Sequence, residues 1–221
     1  MLGRIGIRDP ILTTMLALQL CAIFVATPLA AQGLPIARPI LDTFVLGVLV
    51  VVVLLSRRRG AIVVIMIGLA ATLTSQPLGP ERAPLLVDGL RHGGTIVTFS
   101  ALTWVVLHAV YAPGRISSQR LQGAAVAYLN LATIFASAFA MIWDVNPTAF
   151  ANLAASNGNP GQFDAMLYFS LTTLTTTGYG DIVPVDPFAR SLANLESVLG
   201  QFYLAITVAR LVTLEMADRR R

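Results

Sequence analysis

The sequence predicts an all-α membrane protein with six transmembrane helices and a short re-entrant helix between the fifth and the sixth. Hydrophobic residues make up 56% of the 221 positions and charged residues only 12%, too few for the surface of a soluble domain. Six apolar runs approach the roughly 20 residues that a bilayer-spanning helix needs. A further apolar segment, residues 163–175, is too short to cross, so we expect it to enter the membrane and turn back. Such a turn is tolerated only where protein or a water-filled cavity surrounds it.

Arg, Pro and Gly separate the predicted spanning helices from one another. The first follows Arg4 and Arg8 and ends in small residues, as secretory signals do, but we expect it to be retained as a helix. The second and third are joined only by residues 56–60, which predicts an antiparallel helical hairpin. The six runs are 11–31, 39–55, 60–75, 92–111, 123–143 and 187–214.

The basic residues predict the orientation in the membrane. All fifteen are Arg, in short clusters between apolar runs, which indicates contact with lipid headgroups and not with nucleic acid. With the amino terminus inside, ten of them lie at the inner face, Arg210 lies within the sixth predicted helix, and only four lie outside: Arg38, Arg82, Arg91 and Arg190. Both termini are therefore predicted to be cytoplasmic, in the plasma membrane, which would be the inner membrane of a bacterium. Cys21, the only cysteine, excludes an intrachain disulfide.

The residues that indicate a function form the run Thr175-Thr176-Thr177-Gly178-Tyr179-Gly180-Asp181. Gly-Tyr-Gly alone would also suit a surface turn. The preceding threonines, the following Asp and the position between a short helix and the last membrane helix make a chance match improbable.

Here the chain resembles the potassium-channel pore family, whose filter reads Thr-x-Gly-Tyr-Gly-Asp. The resemblance covers about residues 123–214 and implies a re-entrant pore helix and a selectivity filter between helices five and six. In the family, backbone carbonyls of four chains replace the water around K⁺, the permeant ion, and no cofactor is implied. Aiming successive carbonyls at one axis requires positive φ at alternate positions, which Gly adopts cheaply.

Individual roles follow from the resemblance. The carbonyls of Thr176, Thr177, Gly178 and Tyr179 would bind K⁺, and the Thr176 hydroxyl would close the innermost site. The Tyr179 side chain would brace the loop that ends at Gly180. Asp181 would attract cations at the outer mouth, and Asp164 would cap the pore helix and complement its dipole.

One position departs from the family pattern, and another has two possible explanations. Some bacterial members carry a glutamate in the pore helix where this chain has Thr172, so their control of inactivation is not transferable. Gly200, twenty residues after Gly180, matches the family's hinge glycine, but close helix packing explains it equally well. The helical period then assigns Gln201, Leu204, Val208 and Val212 to the cavity wall.

Glu196 is the only acid well inside a predicted spanning helix, where a carboxylate is costly. At about 100° per residue it stands about 140° from Gln201, so we expect it to face the back of the pore helix. It would support the filter by hydrogen bonds to Thr172, Thr173 or backbone groups, or remain protonated.

One pore loop per chain predicts a homotetramer. Residues 1–115 would form a four-helix membrane domain and residues 116–221 the pore domain. The fourth helix lacks the regularly spaced arginines of a voltage sensor. Its one histidine, His108, is interpreted as a neutral packed residue in preference to a sensor of cytosolic pH.

Three alternatives compete with a potassium-selective channel. A less selective cation channel would differ at or beside Tyr179. A membrane sensor or transporter subunit would use the loop only structurally, and the related transporters have four loops with simplified filters. An enzyme is least favoured, since no nucleophile elbow, metal cluster or phosphate loop was found.

Overall fold

The structure is a computed structural model that describes residues 9–34, 59–78, 84–112, 118–153 and 161–219. Within these ranges the chain is mostly helical. Helix α1 (Asp9–Cys21) continues through a π-helical turn (Ala22–Ala26) into α2 (Thr27–Ala31). The remaining helices are α3 (Arg59–Leu78), α4 (Pro84–Val110), α5 (Ser118–Val145), α6 (Gly161–Leu174) and α7 (Pro187–Arg219). The second predicted helix, residues 39–55, lies outside the described residues.

Four stretches of the described chain are helical, long and apolar enough to cross a membrane. They are Leu12–Ala31, Leu85–Val110, Gln119–Val145 and Pro187–Thr213. Helix α3 covers the third predicted span but contributes a shorter apolar run, Ile62–Thr72. The protein is therefore a multi-pass, mostly helical membrane protein.

The first helix packs against α5 through polar and apolar contacts. The Gln19 amide donates to Asn130 Oδ1 at 2.9 Å, and both side chains are completely buried. Met15 joins a cluster with Leu102 of α4 and Val126 of α5. Because a buried polar pair is costly to separate, this contact holds the first helix against the segment that precedes α6.

A second core lies between α5 and α6 and is rich in phenylalanine. The Phe139 and Phe169 rings are 4.9 Å apart in an edge-to-face arrangement, and Phe150 contacts both at 5.8 and 5.5 Å. Such pairs add to the stabilisation from burial alone. Phe150 belongs to a two-residue strand, β1 (Phe150–Ala151), that pairs antiparallel with β2 (Val183–Pro184). This small pair, which the all-α prediction did not include, ties the loop before α6 to the loop after residue 181.

Helix α7 begins with a well-defined cap. Asp186 Oδ1 accepts hydrogen bonds from the amides of Phe188 and Ala189 at 2.8 and 3.2 Å, and Pro187 occupies the first helical position. Farther along, the Tyr203 hydroxyl donates to the Ala124 carbonyl of α5 at 2.7 Å. These contacts fix the start of α7 and hold its middle against α5.

Candidate ion pore

The predicted filter, residues 176–180, lies between α6 and α7. Helix α6 has 14 residues, hence a length of about 21 Å at about 1.5 Å per residue, less than the roughly 30 Å hydrocarbon core of a bilayer. Its range, Gly161–Leu174, covers all but the last residue of the segment predicted to be re-entrant, 163–175. Every residue from 175 to 181 is exposed on the single chain.

The backbone of the predicted filter alternates between ordinary and left-handed conformations. Thr176, Gly178 and Gly180 have φ values of +57°, +54° and +80°. Glycine adopts this region at little cost, whereas a β-branched residue such as Thr176 pays about 1–3 kcal/mol. The surrounding contacts therefore hold Thr176 in an unfavourable conformation.

Those contacts are backbone hydrogen bonds to the end of α6. The Thr176 amide donates to the Thr173 carbonyl at 3.0 Å, and the amides of Thr177 and Gly178 donate to the Thr172 carbonyl at 2.8 and 3.1 Å. Within the described chain, the carbonyls of residues 176–179 accept no hydrogen bond. The amides of residues 176–178 thus donate to α6, and the carbonyls of residues 176–179 stay free for another partner.

Two tyrosines and a carboxylate form the outer side of the segment. The Tyr179 ring lies parallel to the Tyr168 ring of α6, with centroids 6.3 Å apart. A hydrogen bond between Tyr168 and Asp181 raises the pKa of the Tyr168 phenol. Tyr179 therefore lies against α6, and Asp181 is held near that helix while remaining exposed.

Gln201 of α7 lies at the inner side of the segment. Its amide nitrogen is 3.3 Å from Thr176 Oγ1. Leu204, Val208 and Val212, the other residues assigned to a cavity wall, are exposed on the single chain by 44, 59 and 53%. A surface of the chain next to the Thr176 hydroxyl is thus uncovered and largely apolar.

Comparisons with known proteins match this part of the chain. Residues 126–216 match a family model described as "Ion channel". The inward rectifier potassium channel Kirbac3.1 of Paramagnetospirillum magnetotacticum is 33% identical over 82 residues, which cover 37% of this chain and 25% of that protein. The potassium voltage-gated channel protein shk-1 of Caenorhabditis elegans is 33% identical over 79 residues, covering 36% of this chain and 15% of that protein. Residues 126–216, called the pore-family segment below, are therefore similar to the potassium-channel pore family.

The sequence-based family assignment is therefore confirmed for the potassium-channel pore segment. The similarity spans only a quarter or less of the length of these two relatives. No solved structure matches the chain.

Helix α7 of the pore-family segment presents Glu196 to α6. The Glu196 side chain is completely buried, and its Oε1 atom lies 2.5 Å from Ser170 Oγ. The sequence had offered Thr172 and Thr173 as partners, but the structure places Ser170 there. Thr172 and Thr173 contact the predicted filter through their carbonyls, while the Thr172 hydroxyl bonds within its own helix to the Phe169 carbonyl.

Sequence reasoning missed three side chains that form hydrogen bonds at the last turns of α6: Ser170 within that helix, and Ser197 and Tyr128 from the neighbouring helices. Ser170 joins Glu196, the Ser197 hydroxyl donates to the Thr173 carbonyl at 3.2 Å, and the Tyr128 hydroxyl donates to the Leu174 carbonyl at 3.1 Å. Ser197 directly follows Glu196, so the same helix phase could have identified it. Tyr128 lies in α5, and no local pattern links it to α6.

Gly200 is buried where α7 crosses the end of α6 in the pore-family segment. A Cβ atom at this position would clash with the Leu174 carbonyl oxygen. The structure therefore shows close packing at Gly200, and a hinge there stays a prediction.

The remaining predicted residues lie at the margins of the pore-family segment. Asp164 is in the first turn of α6, where its charge complements the helix dipole, and burial raises the pKa of its carboxyl. His108 of α4 is exposed on the single chain, and its ring lies 4.6 Å from the Trp104 ring.

Proposed function

We propose that the protein is a potassium-selective channel that conducts K⁺ passively across the membrane as a homotetramer. The observation that carries this proposal is the predicted filter, in which φ is positive at alternate residues and the carbonyls of residues 176–179 are free. Carbonyls from four copies would replace the hydration shell of the ion, with the Thr176 hydroxyl at the inner end. Both relatives reported above are named as potassium channels, which supports K⁺ as the ion.

The surrounding charges suit a cation pathway. The carboxyl end of α6, at Leu174, carries the negative end of the helix dipole beside the predicted filter. Asp181 adds a negative charge at the proposed outer mouth, where its bond to Tyr168 restrains it. Gln201, next to the Thr176 hydroxyl, would form the top of the cavity.

The tetramer is supported by the exposed apolar surface of α7. Phe188, Phe202 and Ile206 are exposed by 80, 60 and 61% on the single chain, although they belong to a helix that contacts α5 and α6. A chain with one pore loop needs three further copies to surround an ion. We propose that the copies meet along α7 and the predicted filter.

In the proposed architecture, six transmembrane helices surround the pore loop. Residues 1–115 form a four-helix domain without a charged voltage sensor, and residues 116–221 form the pore domain. The channel lies in the plasma membrane, contacts membrane lipids and has both termini in the cytoplasm. It uses no cofactor and binds no nucleic acid.

The decisive experiment is a reversal-potential measurement on purified protein in planar bilayers with K⁺ on one side and Na⁺ on the other. We expect a reversal potential close to the K⁺ equilibrium value. A value near zero would show a less selective cation channel. A native mass of four times the 23.5 kDa chain is expected for the conducting species, and a smaller oligomer would contradict the tetramer.

A further inference from the structure

A buried acid lies directly behind the predicted filter with no cation beside it. Glu196 is completely buried between α7 and α6. No described arginine or histidine forms an ion pair with it. Its second carboxyl oxygen, Oε2, is buried and has no hydrogen-bond partner in the described chain. An ionised carboxylate in this position would have one oxygen entirely without solvation or a donor.

The number of protons available at Ser170 indicates whether the Glu196 carboxyl group is ionised or protonated. Ser170 Oγ lies 2.8 Å from the Ala132 carbonyl and 2.5 Å from Glu196 Oε1. A serine hydroxyl carries one proton, and a backbone carbonyl carries none. If Ser170 donates to Ala132, the proton between Ser170 and Glu196 must come from the carboxyl group.

We infer that Glu196 is a neutral carboxylic acid that donates a hydrogen bond to Ser170, which in turn donates to the Ala132 carbonyl. This pair of hydrogen bonds joins the three consecutive helices α5, α6 and α7 through residues that are 38 and 26 positions apart. Every member is buried, so no water competes for these hydrogen bonds.

The Ser170 link lies about half a helical turn before the part of α6 that supports the predicted filter. Ser170 precedes Thr172, whose carbonyl accepts the amides of Thr177 and Gly178. Holding Ser170 between α5 and α7 therefore holds the Thr172 carbonyl in place. Glu196 is a positioning residue that acts on the filter through Ser170 and contacts no ion.

The inference deepens the proposed function, but its first test does not depend on conduction. Infrared spectra of the full chain in lipid vesicles at neutral pH should contain the carbonyl stretch of a protonated carboxylic acid. Glu196→Gln should remove it, and Ser170→Ala should shift it to higher frequency because the hydrogen bond is lost. A band unchanged by Glu196→Gln would overturn the inference even if the protein conducts, and its loss would support it even if no current were seen.

Conduction tests the positioning role. Glu196→Gln keeps the shape and a donor toward Ser170, so we expect K⁺ conductance and selectivity within about twofold of the original chain. Glu196→Val and Ser170→Ala should each lower the conducting fraction several-fold. Ser137→Ala is the matched control, because Ser137 is also completely buried but bonds only within its own helix, to the Thr133 carbonyl at 2.9 Å.

Two results of these conduction measurements would contradict the proposed role of a neutral Glu196. If Glu196→Gln failed to fold or lost selectivity, the negative charge would be required and the inference would be wrong. If Ser137→Ala impaired conduction as strongly as Ser170→Ala, the loss would reflect buried hydroxyls in general and the positioning role would be rejected.

Discussion

Gly178 has a φ of +54°, and its amide, like that of Thr177, donates to the Thr172 carbonyl of α6. Replacing it by Ala would place a Cβ in a backbone region that L-residues rarely adopt, although no atom of the single chain lies within 4 Å of that Cβ. The conflict is therefore with the backbone conformation itself. We expect Gly178→Ala to abolish or greatly reduce K⁺ current in planar bilayers, and a normal selective current would disprove the filter assignment. Gly89→Ala, at a helical glycine with equally open surroundings, is the control.

Gly200 allows α7 to touch the carbonyl end of α6. In Gly200→Ala the new methyl group would push against the Leu174 carbonyl, which also accepts the Tyr128 hydroxyl. Because the obstacle is backbone, we expect a tetramer of lower thermal stability and a reduced K⁺/Na⁺ selectivity. A variant with unchanged stability and selectivity but slower opening and closing would favour a hinge over close packing.

At the scale of elements, polar and aromatic contacts join α4, α5 and α6 near the start of α6. His92 Nε2 lies 3.5 Å from Asp144 Oδ2, and the Gln162 amide donates to Asp144 Oδ1 at 3.2 Å. The His92 ring also stacks on the Phe163 ring at 6.2 Å. This cluster, His92, Asp144, Gln162 and Phe163, connects the amino-terminal helices to α6.

We expect His92→Ala to destabilise the protein by about 0.5–3 kcal/mol, since it removes a buried ring that stacks on Phe163 and lies beside the Asp144 carboxyl group. Thermal unfolding of the detergent-solubilised chain would measure the change. His108→Ala is the matched control, because His108 lies on the same helix but is exposed. Equal losses of stability in the two variants would show that the cluster contributes nothing specific.

At the scale of the whole molecule, the distribution of charge predicts weak voltage dependence. Helix α4, Pro84–Val110, contains Arg91 near its amino end and no arginine along the rest of its length. Moving one elementary charge through the field yields about 2.3 kcal/mol per 100 mV, so a helix without such charges gains little from a voltage change.

Open probability in planar bilayers should therefore change only slightly between negative and positive voltages, with an effective gating charge below about one per subunit. Arg91→Gln should leave this relation unaltered. A steep conductance curve equivalent to several gating charges per subunit would contradict the prediction.

The predicted filter could be identified from sequence because its geometry is mostly local. Gly178 and Gly180 permit positive φ, and the amides of Thr176 to Gly178 bond only three to six residues back, to the end of α6. The partner of Glu196 could not be identified in the same way. The helical period predicts the face on which Glu196 lies, but the choice of Ser170 over Thr172 depends on how α6 and α7 are displaced and rotated against each other.

By itself, the sequence determined a helical membrane protein, its pore-family segment and the residues of the predicted filter, because hydropathy, helix length and glycine conformation are local properties. Only the tertiary structure decided that Gln19 pairs with Asn130, that Glu196 meets Ser170, that Gly200 lies on the Leu174 carbonyl and that His92 meets Asp144. These contacts join residues that are 26 or more positions apart in the sequence. Their partners are selected by the rotation, depth and separation of packed helices, which no local pattern specifies.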